Sequence, residues 1–256
     1  MSNKQAKKRA DQYDDGNYNY LNYWQGRDYE NLSEEIAIKR LLKDRRFKHA
    51  ADIGGGYGRL CLLLEKYADT VTLAEPSDNQ LIIAKDFLKD HPKINIKKTQ
   101  ADALDFADKS VDLITVIRVM HHLPDPSVEL KELNRILTDD GYLILEMANY
   151  SHIRNRIKHF VTNKTLPSEP VDIRSEKNRR DDEIPFVNHN PKTVINQLAH
   201  AGFKVEQVLS VSNLRSPLLK KIIPKVVMIS AEKLIQQPLA KIYFGPSIFF
   251  LAKKAK

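Results

Sequence analysis

From His49 to Met147, short apolar runs of strand length alternate with segments whose apolar residues recur at helical spacing. HAADI (49–53), TVTLAE (70–75), INIKKTQ (94–100), VDLITVI (111–117) and GYLILEM (141–147) predict strands. Residues 59–67, 79–89 and 126–137 predict helices, the second capped by Asp78 and the third carrying Pro126 near its first turn. VDLITVI is almost continuously apolar, as a strand covered on both faces must be. Strands alternating with helices across short connections predict an α/β fold, a doubly wound and mostly parallel sheet with helices on both faces.

The flanks break this rhythm. LSEEIAIKRLLKDR (32–45) predicts a leading helix with Ser33 as N-cap. Before it, residues 1–30 are polar, then rich in Tyr13, Tyr18, Tyr20, Tyr23, Trp24 and Tyr29, an aromatic segment expected to pack as a lid. Residues 150–190, with Pro167, Pro170 and the run SEKNRRDDE, predict an insertion over one end of the sheet, part helix and part loop. Order resumes with a helix over 191–201 ended by Gly202, and a strand over 203–211. A helical addition over 212–240 follows, broken at Pro224, and SIFFLAKK (247–254) is a final strand. The domain proper is thus expected over 31–256, with 150–190 and 212–240 as acceptor-side elements.

Composition narrows the function classes. The 256 residues are 42% hydrophobic, enough for a core, and 29% charged. No apolar run approaches the roughly 18–20 residues of a membrane span, and the polar, basic start does not read as a secretory signal. The single cysteine, Cys61, excludes an internal disulfide and a cysteine zinc site. A cytoplasmic location is expected. The net charge of +8 is unevenly placed: residues 1–150 carry −3 and residues 151–256 carry +11. Such an excess suits an anionic partner, or simply a solvated surface.

Candidate chemistry concentrates at one turn. Gly54, Gly55, Gly56 and Gly58 follow a predicted strand and open a predicted helix, after Asp52. Glycine there allows positive φ and close approach of a ligand to the backbone. A phosphate loop would need Gly-Lys-Ser/Thr, which is absent. A dinucleotide fingerprint would place its third glycine where Arg59 stands. The remaining pattern, Asp-x-Gly-x-Gly-x-Gly, resembles the first motif of the class I S-adenosylmethionine-dependent methyltransferases. Three further segments extend the resemblance: Glu75 at a strand end, Ala101-Asp102-Ala103 after the next strand, and Ile117-Arg118-Val119-Met120-His121-His122-Leu123-Pro124-Asp125. The last run, with ELNRILTDDGYLILEM, is similar to the small-molecule, type 11 branch that includes the ubiquinone and menaquinone methyltransferases.

The resemblance implies a seven-stranded sheet whose last strand is antiparallel, and S-adenosyl-L-methionine as cofactor. It implies that Asp52 fixes the loop and the methionine end, that Glu75 meets the ribose hydroxyls, and that Pro76 packs on adenine. Asp102 and Ala103 would hold the adenine edge, and the backbone at Ile117 and Arg118 the methionine amino group. Arg27 is a candidate for the cofactor carboxylate. His122, and after it His121, are candidate general bases, with His189 ranked below them. The expected reaction is in-line methyl transfer to a small-molecule acceptor, lipophilic or anionic in character, with peripheral membrane contact as a partner expectation. Methylation of RNA or protein through the basic carboxyl-terminal part is the alternative, as is a non-catalytic cofactor-binding module. Nucleic acid is disfavoured, because no Asn/Asp-Pro-Pro-Tyr run and no RNA-binding module are present. The acceptor, the methylated atom and the oligomeric state stay open at this level.

Overall fold

The structure is a computed structural model that describes Tyr13, residues 20–180 and residues 184–255. A short helix α1 (Tyr20–Tyr23) precedes α2 (Asp28–Leu42). Then come β1 (Phe47–Ile53), α3 (Cys61–Leu64), β2 (Ala68–Glu75), α4 (Asp78–Phe87), β3 (Ile94–Lys98), β4 (Val111–Val116), α5 (Ser127–Ile136) and β5 (Leu137–Ala148). The chain continues through α6 (Ile153–Val161), a small antiparallel ribbon of β6 (Val171–Asp172) and β7 (Val187–Asn188) joined across α7 (Glu176–Arg180), and α8 (Pro191–His200). It ends with β8 (Phe203–Val211), α9 (Pro217–Ile222), α10 (Lys225–Ala240) and β9 (Ser247–Lys254).

The main sheet has seven strands in the order β3-β2-β1-β4-β5-β9-β8. The five strands from β3 to β5 run parallel, and β9 lies antiparallel between β5 and β8. Side chains alternate between two cores, as period-2 strands require. In β9, Phe249 and Leu251 enter one core while Ile248, Phe250 and Ala252 enter the other. The first core is closed by Ile38 and Leu41 of α2, Leu64 of α3 and Ala84 of α4. The second is closed by Leu130 and Leu133 of α5 and Val194 and Leu198 of α8. The expected doubly wound architecture is therefore the one observed.

The chain leaves β1 for β2 on one side, and after β3 it crosses back to β4 on the other side. That reversal makes a switch point outside the carboxyl ends of β1 and β4, where an open α/β sheet forms a ligand crevice.

Several local expectations change. The leading helix begins at Asp28, and Ser33 lies inside it, donating its hydroxyl to the Tyr29 carbonyl at 2.7 Å rather than capping. Helix α4 is capped by Ser77, whose Oγ accepts the Gln80 N–H, and not by Asp78. The helix expected over 59–67 shrinks to Cys61–Leu64 with turns on both sides. Pro224 breaks the late helical stretch between α9 and α10, as expected. Among the described residues, no helix is long and apolar enough to cross a membrane.

Candidate active site

Strand β1 delivers Asp52 and Ile53 into the glycine turn at the floor of the crevice. Gly54 has φ +67°, and a Cβ there would stand 2.5 Å from Val119 Cγ2. At Gly55 a Cβ would meet Asp52 Oδ2 at 2.4 Å and Leu73 Cδ1 at 2.6 Å, so the loop lies directly on the Asp52 carboxylate. Asp52 accepts the Thr115 hydroxyl at 2.6 Å. Burial pushes its carboxyl up to about 6 against the help of that bond and of the Arg59 charge. Gly58 packs on Leu88 and Leu73 beneath the turn and is not on the crevice wall.

Glu75, at the end of β2, turns its carboxylate across to the loop. One oxygen accepts the Gly56 N–H at 2.8 Å, and the other accepts the Ser77 N–H at 3.0 Å. Pro76 stands beside it on the wall. Gln80 from α4 completes this side. It is only 1% exposed, and among the described residues neither its amide nitrogen nor its amide oxygen meets a hydrogen-bond partner. Trp24 Nε1, also at the crevice, is buried and meets no hydrogen-bond partner among the described residues. Buried polar groups left without partners are costly, and two of them facing one crevice point to a ligand.

The opposite wall is the end of β4. Ile117 and Arg118 both line the crevice, and Arg118 holds φ +62°, uncommon outside glycine. Its N–H donates to Glu146 at 2.9 Å, and Glu146 also takes the Ser247 hydroxyl. Its guanidinium pairs with Glu34 at 2.6 Å and donates to the Tyr23 hydroxyl at 3.0 Å. Arg59 pairs with the other Glu34 oxygen at 2.6 Å and lies 3.8 Å over the Trp24 ring. Glu34, 2% exposed, is thus clasped between two arginines that bear on the same tryptophan. Tyr20 stacks on Tyr23 and meets Tyr13 edge-on, closing the top. Tyr18 of the expected lid lies outside the described residues.

The remaining expected residues separate. His122 is on the wall, its Nδ1 at 3.0 Å from the Pro185 carbonyl and its Nε2 at 3.0 Å from the Tyr13 hydroxyl. With Nδ1–H donating to Pro185, Nε2 is left to accept. His121 is buried behind it against Phe186, off the wall. Burial, with His122 and Arg118 close by, holds its pKa well below the ordinary histidine value. His189 is also buried and spans to the Met120 carbonyl at 2.9 Å. Asp102 and Ala103, expected at the adenine edge, are exposed and off the wall. The chain closes a tight Gln100–Ala103 bridge just past β3, so Thr99, Gln100 and Ala101 face the crevice instead. Arg27 is likewise off the wall, its guanidinium 4.0 Å over the Tyr23 ring. Sequence reasoning missed Glu34, Arg59 as a wall residue, and Gln80. A charged Glu34 at a core-facing helical position was the available signal. Among the described residues, no group of three or more His, Cys, Asp or Glu is placed to hold a metal ion.

Residues 51–145 match a family described as a methyltransferase domain. The chain is 25% identical over 144 residues to the uncharacterised methyltransferase YcgJ of Bacillus subtilis, covering 55% of this chain and 56% of that one. It is 32% identical over 131 residues to the ubiquinone/menaquinone biosynthesis C-methyltransferase UbiE of Idiomarina loihiensis, covering 48% and 52%. The chain thus spans about half the length of the curated relatives it matches. Among solved structures, an S-adenosylmethionine-dependent methyltransferase of Mesorhizobium loti matches with TM-score 0.59 at 16% identity, over 87% of this chain and 98% of that one. A chain from the complex of the Haloferax volcanii Trm112 methyltransferase activator matches with TM-score 0.65 at 15% identity, over 97% and 100%. These two likenesses are of fold.

Proposed function

We propose that this chain, which carries a class I methyltransferase domain, transfers a methyl group from S-adenosyl-L-methionine to a small-molecule acceptor. The observation that carries the reading is the crevice: a glycine turn under Asp52, a carboxylate at the end of β2, and buried Gln80 and Trp24 groups awaiting partners. When bound, S-adenosylmethionine supplies a methyl on positive sulfur, already activated for in-line displacement.

The residues present fit that group. Glu75 offers lone pairs at the strand end for the ribose hydroxyls, held in place by the Gly56 and Ser77 N–H groups. Gln80 can donate and accept at the adenosyl portion, and Pro76 offers an apolar face to the base. Thr99, Gln100 and Ala101, rather than Asp102 and Ala103, would meet the adenine edge. Asp52 fixes the turn, and the strained backbone at Arg118 stands at the methionine end. On the acceptor side, Tyr13, Leu123, Ile184 and His122 form the wall. Chiefly these residues align the acceptor and exclude water. His122 is the group placed to take a proton from an acidic acceptor, because Pro185 anchors its other nitrogen.

Calorimetric titration of the chain with S-adenosylmethionine, S-adenosylhomocysteine and NAD tests this reading. Both sulfur nucleosides should bind and NAD should not. Glu75→Ala should weaken them about ten- to hundredfold, since a charged acceptor is lost. Absence of binding to either nucleoside overturns the proposal.

A further inference from the structure

Outside the crevice, the described surface departs from the ordinary in a group of exposed apolar side chains on three helices. On α6, Ile157, Phe160 and Val161 stand at i, i+3 and i+4, and Phe160 is 87% exposed. At the corner of α9 and α10, Leu218, Ile222 and Val226 are exposed in the same manner. No other described element covers them.

Helices α6 and α9 leave the same end of the sheet. Helix α6 follows the end of β5, where the Ile153 N–H donates to the Phe244 carbonyl just before β9. Helix α9 follows the end of β8, which runs parallel to β5. Strand β9 alone separates β5 from β8, so the two helices start one strand apart at that end of the sheet. Lys220 and Lys225 tie α9 and α10 to Glu30 and Asp28 at the start of α2. The turn into α2 carries the aromatic lid, so the α9–α10 corner lies near the rim of the crevice.

Most of the charge these segments carry is of one sign, with Lys220 and Lys225 paired to Glu30 and Asp28. Residues 147–168 contain Arg154, Arg156, Lys158 and Lys164 and no carboxylate. Residues 207–231 contain Arg215, Lys220, Lys221 and Lys225 and no carboxylate. Apolar side chains flanked by cations are the composition of an interfacial helix that enters the headgroup region of an anionic bilayer. Nucleic acid would use the cations but leave the aliphatic groups wet, because bases stack on aromatic rings rather than on Ile, Leu and Val.

We propose that the face formed by α6 and the α9–α10 corner docks the chain peripherally on an anionic lipid bilayer. The idea stands independently of the methyl-transfer reading, because it concerns a surface and not the crevice. Apolar groups sink to the acyl boundary, and Arg154, Lys158 and Lys221 meet phosphate headgroups. The crevice edge then lies beside the lipid.

Flotation of the full chain tests it, with vesicles of phosphatidylcholine alone and of phosphatidylcholine mixed with phosphatidylglycerol. The chain should float with the mixed vesicles only, and less so at high salt. Phe160→Ser and Ile222→Ser should each lower partitioning about tenfold or more while leaving the melting temperature in place. Phe160→Trp should add an emission component that shifts to the blue with the mixed vesicles. Failure to float, or flotation indifferent to both serine variants, overturns the proposal. Binding to a polyuridine probe without vesicle binding also overturns it, in favour of nucleic acid.

Discussion

Residues 47–148 and the helices α6 and α9 handle polar and apolar groups in opposite ways. In the first region the apolar side chains of β1, β4 and β5 are buried in two cores, and the buried polar residues Asp52, Glu75, Gln80 and Thr99 line one crevice. In the second, α6 and α9 bury no residue fully, and large apolar side chains face outward among cations. The charges follow, −3 for residues 1–150 and +11 for residues 151–256. The inward region builds a site for one small ligand. The outward region spends its hydrophobicity on a surface that only a partner can dry.

The largest effects should therefore come from buried side chains, among them two that other elements pack against the first region. Phe250, fully buried, should cost about 3–5 kcal/mol when changed to Ala. Glu34→Gln should cost about 3 kcal/mol, because Arg59 and Arg118 would keep their charges without the carboxylate between them. Denaturant unfolding measures both. A loss below about 1 kcal/mol at Glu34 would show that the arginines are satisfied by solvent and rings alone.

That carboxylate also shows what the sequence could and could not reveal. The strands, their order in the chain and the glycine turn were legible, because each is written in contiguous residues with a period of two or a run of glycines. Glu75 and Arg118 were legible for the same reason: each sits at the end of a readable strand. The clasp of Arg59, Arg118 and Glu34 was not, since it joins α2 to a turn and to a strand end 84 positions away. Asp102 and Ala103 were placed by analogy with a strand end. The bridge between Gln100 and Ala103 turns them outward, and no spacing rule reports a bridge. Arg27 likewise stands off the wall, with its guanidinium over the ring of Tyr23.

A second, smaller test probes the turn itself. Gly55→Ala puts a methyl against the ends of the Asp52 and Leu73 side chains, both held by burial. It should cost about 1–3 kcal/mol and lower affinity for the adenosyl ligand together with stability. Normal stability with normal binding would mean that the loop does not lie on Asp52 in solution.

Next in size is a pH effect behind the crevice. The folded chain holds His121 well below its ordinary value of 6.5, by burial first and then by His122 and Arg118. Below that pH the unfolded chain binds a proton that the folded chain refuses, so stability is full above it and falls as pH drops toward the folded pKa. The slope from this group is at most about 1.4 kcal/mol per pH unit. His189, also lowered by burial, acts in the same direction. His121→Gln should flatten the acid side of a plot of melting temperature against pH. An unchanged slope would place the acid sensitivity elsewhere.

The smallest expected effect completes the comparison. Phe160 and Phe250 are the same residue type at 87% and 0% exposure. Phe160→Ser removes apolar area that folding never dried, so unfolding free energy should change by less than about 0.5 kcal/mol. A rise is as admissible as a fall within that range, since an exposed phenyl ring gains little from the native state. A loss approaching that at Phe250 would mean that α6 folds back onto the chain in solution and covers its own apolar stripe. The outward region would then be an inward one, and the surface it presents to lipid would not exist. Silence in stability, joined to a tenfold loss in vesicle partitioning, is the pair of results that separates a surface kept for a partner from one merely left uncovered.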